Sequence, residues 1–324
     1  MLSLYSPAGR QNPPADLRDA SLPPDILWID LLRPEPGERA FVEAATGLRL
    51  PSLEELSEIE SSSRLRTDDG VLYLSASLIS RSRTDNPTAT PVGFVLAPHR
   101  LITIRYEPLP AFEQLGEGPH QNAAEMFASL LETIIDRIAD GLEHIAGELD
   151  ALSHRLFRSG AIETGGLRRP AQEDRDLRAA LKRVGAHGDL ASKIRDSLLG
   201  LGRMVPYVAG LGASWLPEPV KPRLETMRHD IASLSDYDAH LLNKVQLLLD
   251  ATLGLINIEQ NNIIKVLTVV SVVGVPPTLI ASMYGMNFKN IPEYDWSFGY
   301  EWGLALIAIS AIAPLLWFKW RGWF

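Results

Sequence analysis

Hydrophobic positions follow three successive patterns along the chain. Up to about residue 110, apolar, β-branched and aromatic runs at 26–32, 71–79, 92–97 and 101–106 predict strands, with Ala97-Pro98-His99-Arg100 as a hairpin connection. PGERAFVEAATG and PSLEELSEIE predict two short helices, Gly47 ending the first and Pro51 sitting in the first turn of the second. From about 120 to 158, and again from about 173 to 212, the spacing is helical, and Gly160 to Pro170 predicts the turn between. After PEPVKP at 217–222, Met227, Leu234, Leu241, Leu248 and Leu255 recur every seven residues, with Ile231, Leu242, Val245, Leu249 and Ile256 beside them. Such a stripe belongs to a bundled or coiled helix. It packs on the 120–158 helix, couples the soluble part to the apolar C-terminal region, or does both on different faces.

The third pattern is apolar throughout. Residues 266–284 are uncharged, matching the roughly 20 helical residues that cross a bilayer core, and 302–318 form a second, shorter run. Trp296 and Tyr300 before the second run, and Trp317, Trp320 and Trp323 at its far end, resemble an interfacial belt. Lys265, Lys319 and Arg321 flank the pair, while the connecting loop 285–301 carries Glu293, Asp295 and Glu301 against Lys289. The positive-inside rule puts both termini in the cytoplasm and the loop outside, in an inner or plasma membrane. The N-terminus lacks a basic n-region and a long apolar run, so no signal peptide is expected.

The predicted fold is an α+β cytoplasmic domain (1–115), a helical hairpin (116–216), a stalk helix (217–265), a first transmembrane helix (266–284), an outer loop (285–301), a second transmembrane helix (302–318) and a basic tail (319–324). A helix unbroken from 220 to 284 would be roughly 95 Å long at 1.5 Å per residue.

Composition narrows the chemistry. The net charge of −9 argues against nucleic acid as a partner and suits cations. There is no cysteine, and the seven histidines show no close ligand-type pairing. No phosphate-binding loop of the G-x-x-x-x-G-K-[ST] type and no catalytic cluster is present, so neither an ATP-driven pump nor an enzyme is expected.

The first span carries a polar arc. At 100° per residue, Asn261, Thr268, Ser271, Thr278 and Ser282 fall within about 100°, with Ile264 and Val275 on the same side. Such groups line a pore or pack against a neighbouring helix. Pro276-Pro277 removes two backbone donors and frees carbonyls near mid-membrane. Beyond the span, Gly285 permits a tight turn and Asn287 offers an uncharged carbonyl; a helix C-cap is the plainer reading of Gly285-Met286-Asn287.

Tyr284-Gly285-Met286-Asn287-Phe288, with Pro292-Glu293, resembles the signature of CorA-family magnesium transporters. The similarity extends to Ile256-Asn257-Ile258-Glu259-Gln260-Asn261, to Val275-Pro276-Pro277-Thr278, to Trp296-Ser297-Phe298-Gly299-Tyr300 and to the phrase Trp28-Ile29-Asp30-Leu31. The resemblance implies a homopentameric funnel in lipid, with the first span lining the pore. It implies Asn287 at the outer mouth, Asn261 near the cytoplasmic end and Thr278 between. It further implies Mg2+, with Co2+ and Ni2+, as transported ion, and Mg2+ bound between subunits as an inhibitor; no other cofactor is expected. Glu225, Asp230, Asp236 and Asp238 are the stalk acids available to such a regulatory site. Lys289 stands where an acid is common, and Gly274 where a bulkier apolar residue is expected. The alternatives are a zinc transporter of the same superfamily, which usually has valine where Met286 stands, and a membrane-tethered scaffold or sensor that conducts nothing.

Overall fold

A computed structural model describes residues 1–14, 21–58, 60–80, 87–114, 120–159, 170–212, 215–287 and 292–323. They fall into two compact units, one of Met1–Gly165 with Ala179–Asp250, the other of Gly166–Arg178 with Ala251–Phe324.

The first unit is built on a seven-stranded sheet. Its strands are β1 (Leu2–Ser6), β2 (Gly9–Gln11), β3 (Trp28–Leu32), β4 (Leu65–Asp68), β5 (Val71–Ile79), β6 (Ala89–Ala97) and β7 (Arg100–Arg105), in the order β2-β1-β3-β7-β6-β5-β4. Among the described strands only β3 and β7 pair in parallel, so the sheet is mixed, as in an α+β domain. Side chains alternate by the strand period of two. Ile29, Leu31, Ile102 and Ile104 join the core that holds Phe41, Val42 and Leu56, whereas Trp28, Asp30, Thr103 and Arg105 form a hydrogen-bonded group of their own. Three strands lie outside the sequence expectation: β1, β2 and the edge strand β4.

The short helices are α1 (Pro36–Thr46), α2 (Leu53–Ser57), α3 (Ser61–Arg64) and α4 (Pro110–Gln114). Gly47 ends α1 at φ 69°, a left-handed conformation that favours glycine. Pro51 is not in the first turn of α2: Ser52 is the N-cap, accepting from the Glu55 amide at 3.2 Å, so the proline lies outside the helix.

Three long helices come next, α5 (Ala123–Ser159), α6 (Pro170–Leu211) and α7 (Val220–Tyr284). The expected Gly160–Pro170 turn falls, but for Pro170, outside the described residues. Within the first unit, the heptad stripe of α7 packs on α5 and α6: Met227, Ile231, Leu241, Val245 and Leu248 are buried. Arg223 donates to Glu132 at 2.8 Å and Lys244 to Asp150 at 2.5 Å, tying α7 to α5.

In the second unit, α7 continues to Tyr284, a 3-10 turn spans Pro292–Asp295 and α8 covers Gly299–Trp320. Helix α8 exceeds the predicted 302–318 at both ends. A Cβ at Gly299 would lie 2.1 Å from the Glu293 carbonyl oxygen, so only glycine allows the 3-10 turn to close on the start of α8. Helices α7 and α8 are the two among the described residues long and apolar enough to cross a membrane; none of the apolar window of α7 is buried, and 6% of that of α8.

Candidate functional site

The site residues lie on α7 and just beyond it. Asn261, Ile264, Thr268, Ser271, Val275, Thr278 and Ser282 all sit in continuous helix, so the shared arc results from helical geometry. Val275 and Ile264 are 62% and 61% exposed in the single subunit, which leaves this face uncovered by the chain's own α8. Thr268 and Thr278 each donate their hydroxyl at 2.8 Å to the carbonyl four residues back, Ile264 and Gly274. The hydrogen is thereby used within the helix, and the oxygen lone pairs remain as acceptors. A hydrated cation presents outward-pointing water hydrogens, so an acceptor-lined face suits it. Pro276 and Pro277 lie inside the helix and cannot donate to the carbonyls of Val272 and Val273.

The Gly285-Met286-Asn287 motif closes α7 by a different route from a left-handed cap. The Gly285 amide donates to Ala281 at 3.0 Å and the Met286 amide to Met283 at 3.3 Å. Gly285 is not among the positive-φ residues, so it ends the helix and opens the turn without the left-handed conformation that favours glycine. Asn287 and Met286 are exposed. Phe288 and Lys289 lie outside the described residues.

Beside the motif is a cleft of about 730 Å³ lined by Tyr284, Gly285, Trp296 and Tyr300, with Glu293 and Glu301. Sequence reading counts these acids only as loop charge; that both line one cleft is not visible in spacing. At the other end of the span, Lys265 Nζ lies 5.5 Å from the ring centroid of Trp323, and Arg321 5.6 Å from that of Trp317. Lys265 at the start of the first span and Trp323 beyond the end of the second are therefore neighbours, as two antiparallel spans require.

The stalk acids do not form one site. Glu225 is exposed; hydrogen bonding from Arg228, at 2.6 and 3.0 Å, together with nearby His229, holds its carboxyl below the usual range. Asp230 and Asp236 are exposed. Asp238 is fully buried within the subunit, so it cannot face another subunit as an interfacial metal ligand; its place in that set is corrected. Among the described residues, no group of three or more His, Asp or Glu side chains has metal-holding geometry.

Comparison with known proteins gives these features a context. The magnesium transport protein CorA of Yersinia pestis is 37% identical over 306 residues, 92% of either chain. That of Escherichia coli K12 is 34% identical over 308 residues, again 92% of either chain. The complete structure of the CorA magnesium transporter from Methanocaldococcus jannaschii matches with a TM-score of 0.73 at 19% identity, covering 100% of this chain and 98% of that one. The ZntB cytoplasmic domain from Vibrio parahaemolyticus matches with a TM-score of 0.52 at 14% identity, over 78% of this chain and 96% of that one. These two structural likenesses concern the fold. Residues 24–320 match the family described as CorA-like Mg2+ transporter protein, and with this span and these relatives the chain belongs to that family of membrane transporters.

Proposed function

We propose that the chain is one subunit of a homopentameric, passive channel for divalent cations, chiefly Mg2+, with Co2+ and Ni2+ as further substrates. The observation that carries this reading is the union of two facts: relatives named for magnesium transport align over 92% of the chain, and α7 delivers its polar arc to Gly285-Met286-Asn287.

The ion sets the chemistry. Mg2+ demands octahedral oxygen and sheds water reluctantly. The neutral Asn287 carbonyl accepts hydrogen bonds from the ion's waters without trapping a charge, and Glu293 and Glu301 raise the local cation concentration. The Thr268 and Thr278 oxygens and the Asn261 amide then offer acceptors along the path. An inside-negative potential supplies roughly 4.6 kcal/mol per 100 mV for a divalent ion, twice the single-charge value, so no ATP is needed. With both termini cytoplasmic, Mg2+ bound between subunits at the exposed stalk acids Glu225, Asp230 and Asp236 favours the closed ring.

Flux by purified protein in liposomes, across Mg2+, Co2+, Ni2+ and Zn2+, tests this. Mg2+ uptake driven by an inside-negative potential is expected. Zn2+ flux without Mg2+ flux would assign the chain to the zinc-transporting branch, against Met286. No flux of any ion from an assembled oligomer would leave the scaffold reading.

A further inference from the structure

The sheet carries a pit where two small residues are paired. Ser75 of β5 lies opposite Gly93 of β6 in the antiparallel ladder. A Cβ at Gly93 would lie 2.7 Å from Leu56 Cδ2, so α2 seats its leucine on that half of the pair. The Ser75 half is left as a cleft of about 190 Å³ lined by Arg64, Arg66, Tyr73 and Ser75, with Glu55 and Glu58. Ser75 is 5% exposed, and its hydroxyl has no hydrogen-bond partner among the described residues. A buried hydroxyl so placed is costly until a partner reaches it.

The charges around the cleft do not cancel. Arg64 spends its Nε on the Glu58 carbonyl, at 2.7 Å, and keeps its two terminal nitrogens as donors. Arg66 lies over the Tyr73 ring, 4.3 Å from the centroid. Such stacking uses the face of the guanidinium and leaves its N–H edge for another partner. Among the described residues, neither arginine has a carboxylate partner. The acids are engaged elsewhere or screened. Glu55 gives one carboxylate oxygen to Arg49 and the other to the Ser52 amide at 2.8 Å. Glu58 is exposed, where water and salt screen its charge. Two unanswered guanidiniums therefore share one cleft with an unanswered hydroxyl, and all three are donors.

We propose that this cleft is an oxyanion site whose ligand is a phosphate dianion, free or as the end of a phosphorylated molecule: Arg64 and Arg66 supply the charge, and Ser75 donates a hydrogen bond from the floor. The guanidinium fork matches phosphate oxygens in pairs. Two arginines balance the two negative charges of the dianion, which a single carboxylate lacks. The size agrees. At about 190 Å³ the cleft lies below the roughly 300 Å³ at which pockets for drug-sized molecules begin, so a nucleoside attached to the phosphate stays outside. Arg64 ends α3 and Arg66 belongs to the edge strand β4, so a bound phosphate ties α3 to the edge of the sheet. The cation path proposed on α7 uses none of these residues.

Calorimetric titration of the full chain in detergent with inorganic phosphate, at fixed ionic strength and without Mg2+, tests it. Saturable binding of one phosphate per subunit is expected. Arg66→Gln should weaken it by about tenfold or more, since bonds to charged groups are the strong ones. Ser75→Ala should weaken it by about threefold or more. That variant deletes a buried hydroxyl without a partner, so it should unfold at no lower temperature than wild type, and its loss of binding is then not a loss of fold. Arg10→Gln, on β2 outside the cleft, should bind as wild type. A parallel titration with ATP separates the sources: ATP that competes with phosphate marks a phosphoryl end as ligand, and phosphate binding that ATP leaves untouched marks the free ion. Absence of saturable phosphate binding, or wild-type affinity in Arg66→Gln or Ser75→Ala, would overturn the proposal.

Discussion

Arg105 closes on Asp30 inside the sheet: its guanidinium donates to Asp30 Oδ2 at 2.8 Å, while both side chains are almost entirely buried, at 7% and 2% exposure. The remaining capacity of Asp30 is used by the Thr103 hydroxyl at 2.7 Å, which in turn accepts from Trp28 Nε1 at 2.9 Å. The Arg105 guanidinium also lies 4.8 Å over the Phe112 ring. Every polar group in this chain of contacts is answered, which makes removal of any one partner expensive. Asp30→Ala is expected to destabilise the first unit by about 3–5 kcal/mol, because it leaves a buried guanidinium unpaired. Thermal unfolding followed by tryptophan fluorescence, with Trp28 as reporter, would detect the loss; an unchanged transition would show the pair to be dispensable.

At the outer end of α7, Asn287→Ala removes the side-chain carbonyl and leaves the helix end, made by Gly285 and Met286 amides, as it is. Mg2+ uptake should fall at least tenfold while oligomer mass stays that of wild type. Normal uptake from an assembled variant would exclude a role for this side chain.

In the proposed channel Thr278 faces the ion path, and with its hydrogen held by the Gly274 carbonyl its oxygen remains as an acceptor. Thr278→Ser keeps that arrangement and should conduct nearly as wild type. Thr278→Val keeps the volume, loses the acceptor and should conduct several-fold less. Equal flux through both variants would mean that the residue serves packing alone.

Raising internal Mg2+ should inhibit inward flux. Substituting Glu225, Asp230 and Asp236 together by their amides should weaken that inhibition and leave conduction. Asp238 does not belong in this set, being buried within its own subunit. Inhibition that survives the triple variant would place the regulatory cation elsewhere; flux indifferent to internal Mg2+ in the wild type would remove the mechanism.

Sequence pattern reaches the large features because they rest on long periodic signals. The two apolar runs, the heptad stripe and the alternating strands each accumulate information over many residues. The misses have local causes. Strand β1 is buried along all of its five residues and lies between β2 and β3, and the alternation of Leu2, Ser3 and Leu4 breaks by Ser6, leaving too short a run to read. Strand β4, LRTD, is an edge strand with polar residues that read equally well as a loop. Pattern alone sets Pro51 inside α2, whereas the Ser52–Glu55 box decides where that helix begins. Asp238 reads as one of the exposed acids, although its spacing from Ile231 and Val245 already puts it on the buried stripe; the signal is present and charge obscures it. Glu293 and Glu301 line one cleft beside a 3-10 turn that closes on Gly299, a backbone contact that no spacing rule encodes.

The continuous helical course of α7 between Asn261 and Thr278 has a consequence for tolerance to length change. Each residue turns the helix by about 100°, so the two side chains lie within one arc of about 100° only because of the number of residues between them. One residue deleted after Thr268 would set Asn261 about 160° from Thr278 instead of about 100°, on nearly the opposite side of the helix. An insertion of seven residues would restore the direction to within about 20° and lengthen the span by roughly 10 Å. This stretch of chain is therefore a phase-keeping element: side chains within it are exchangeable by chemistry, but its residue count is not.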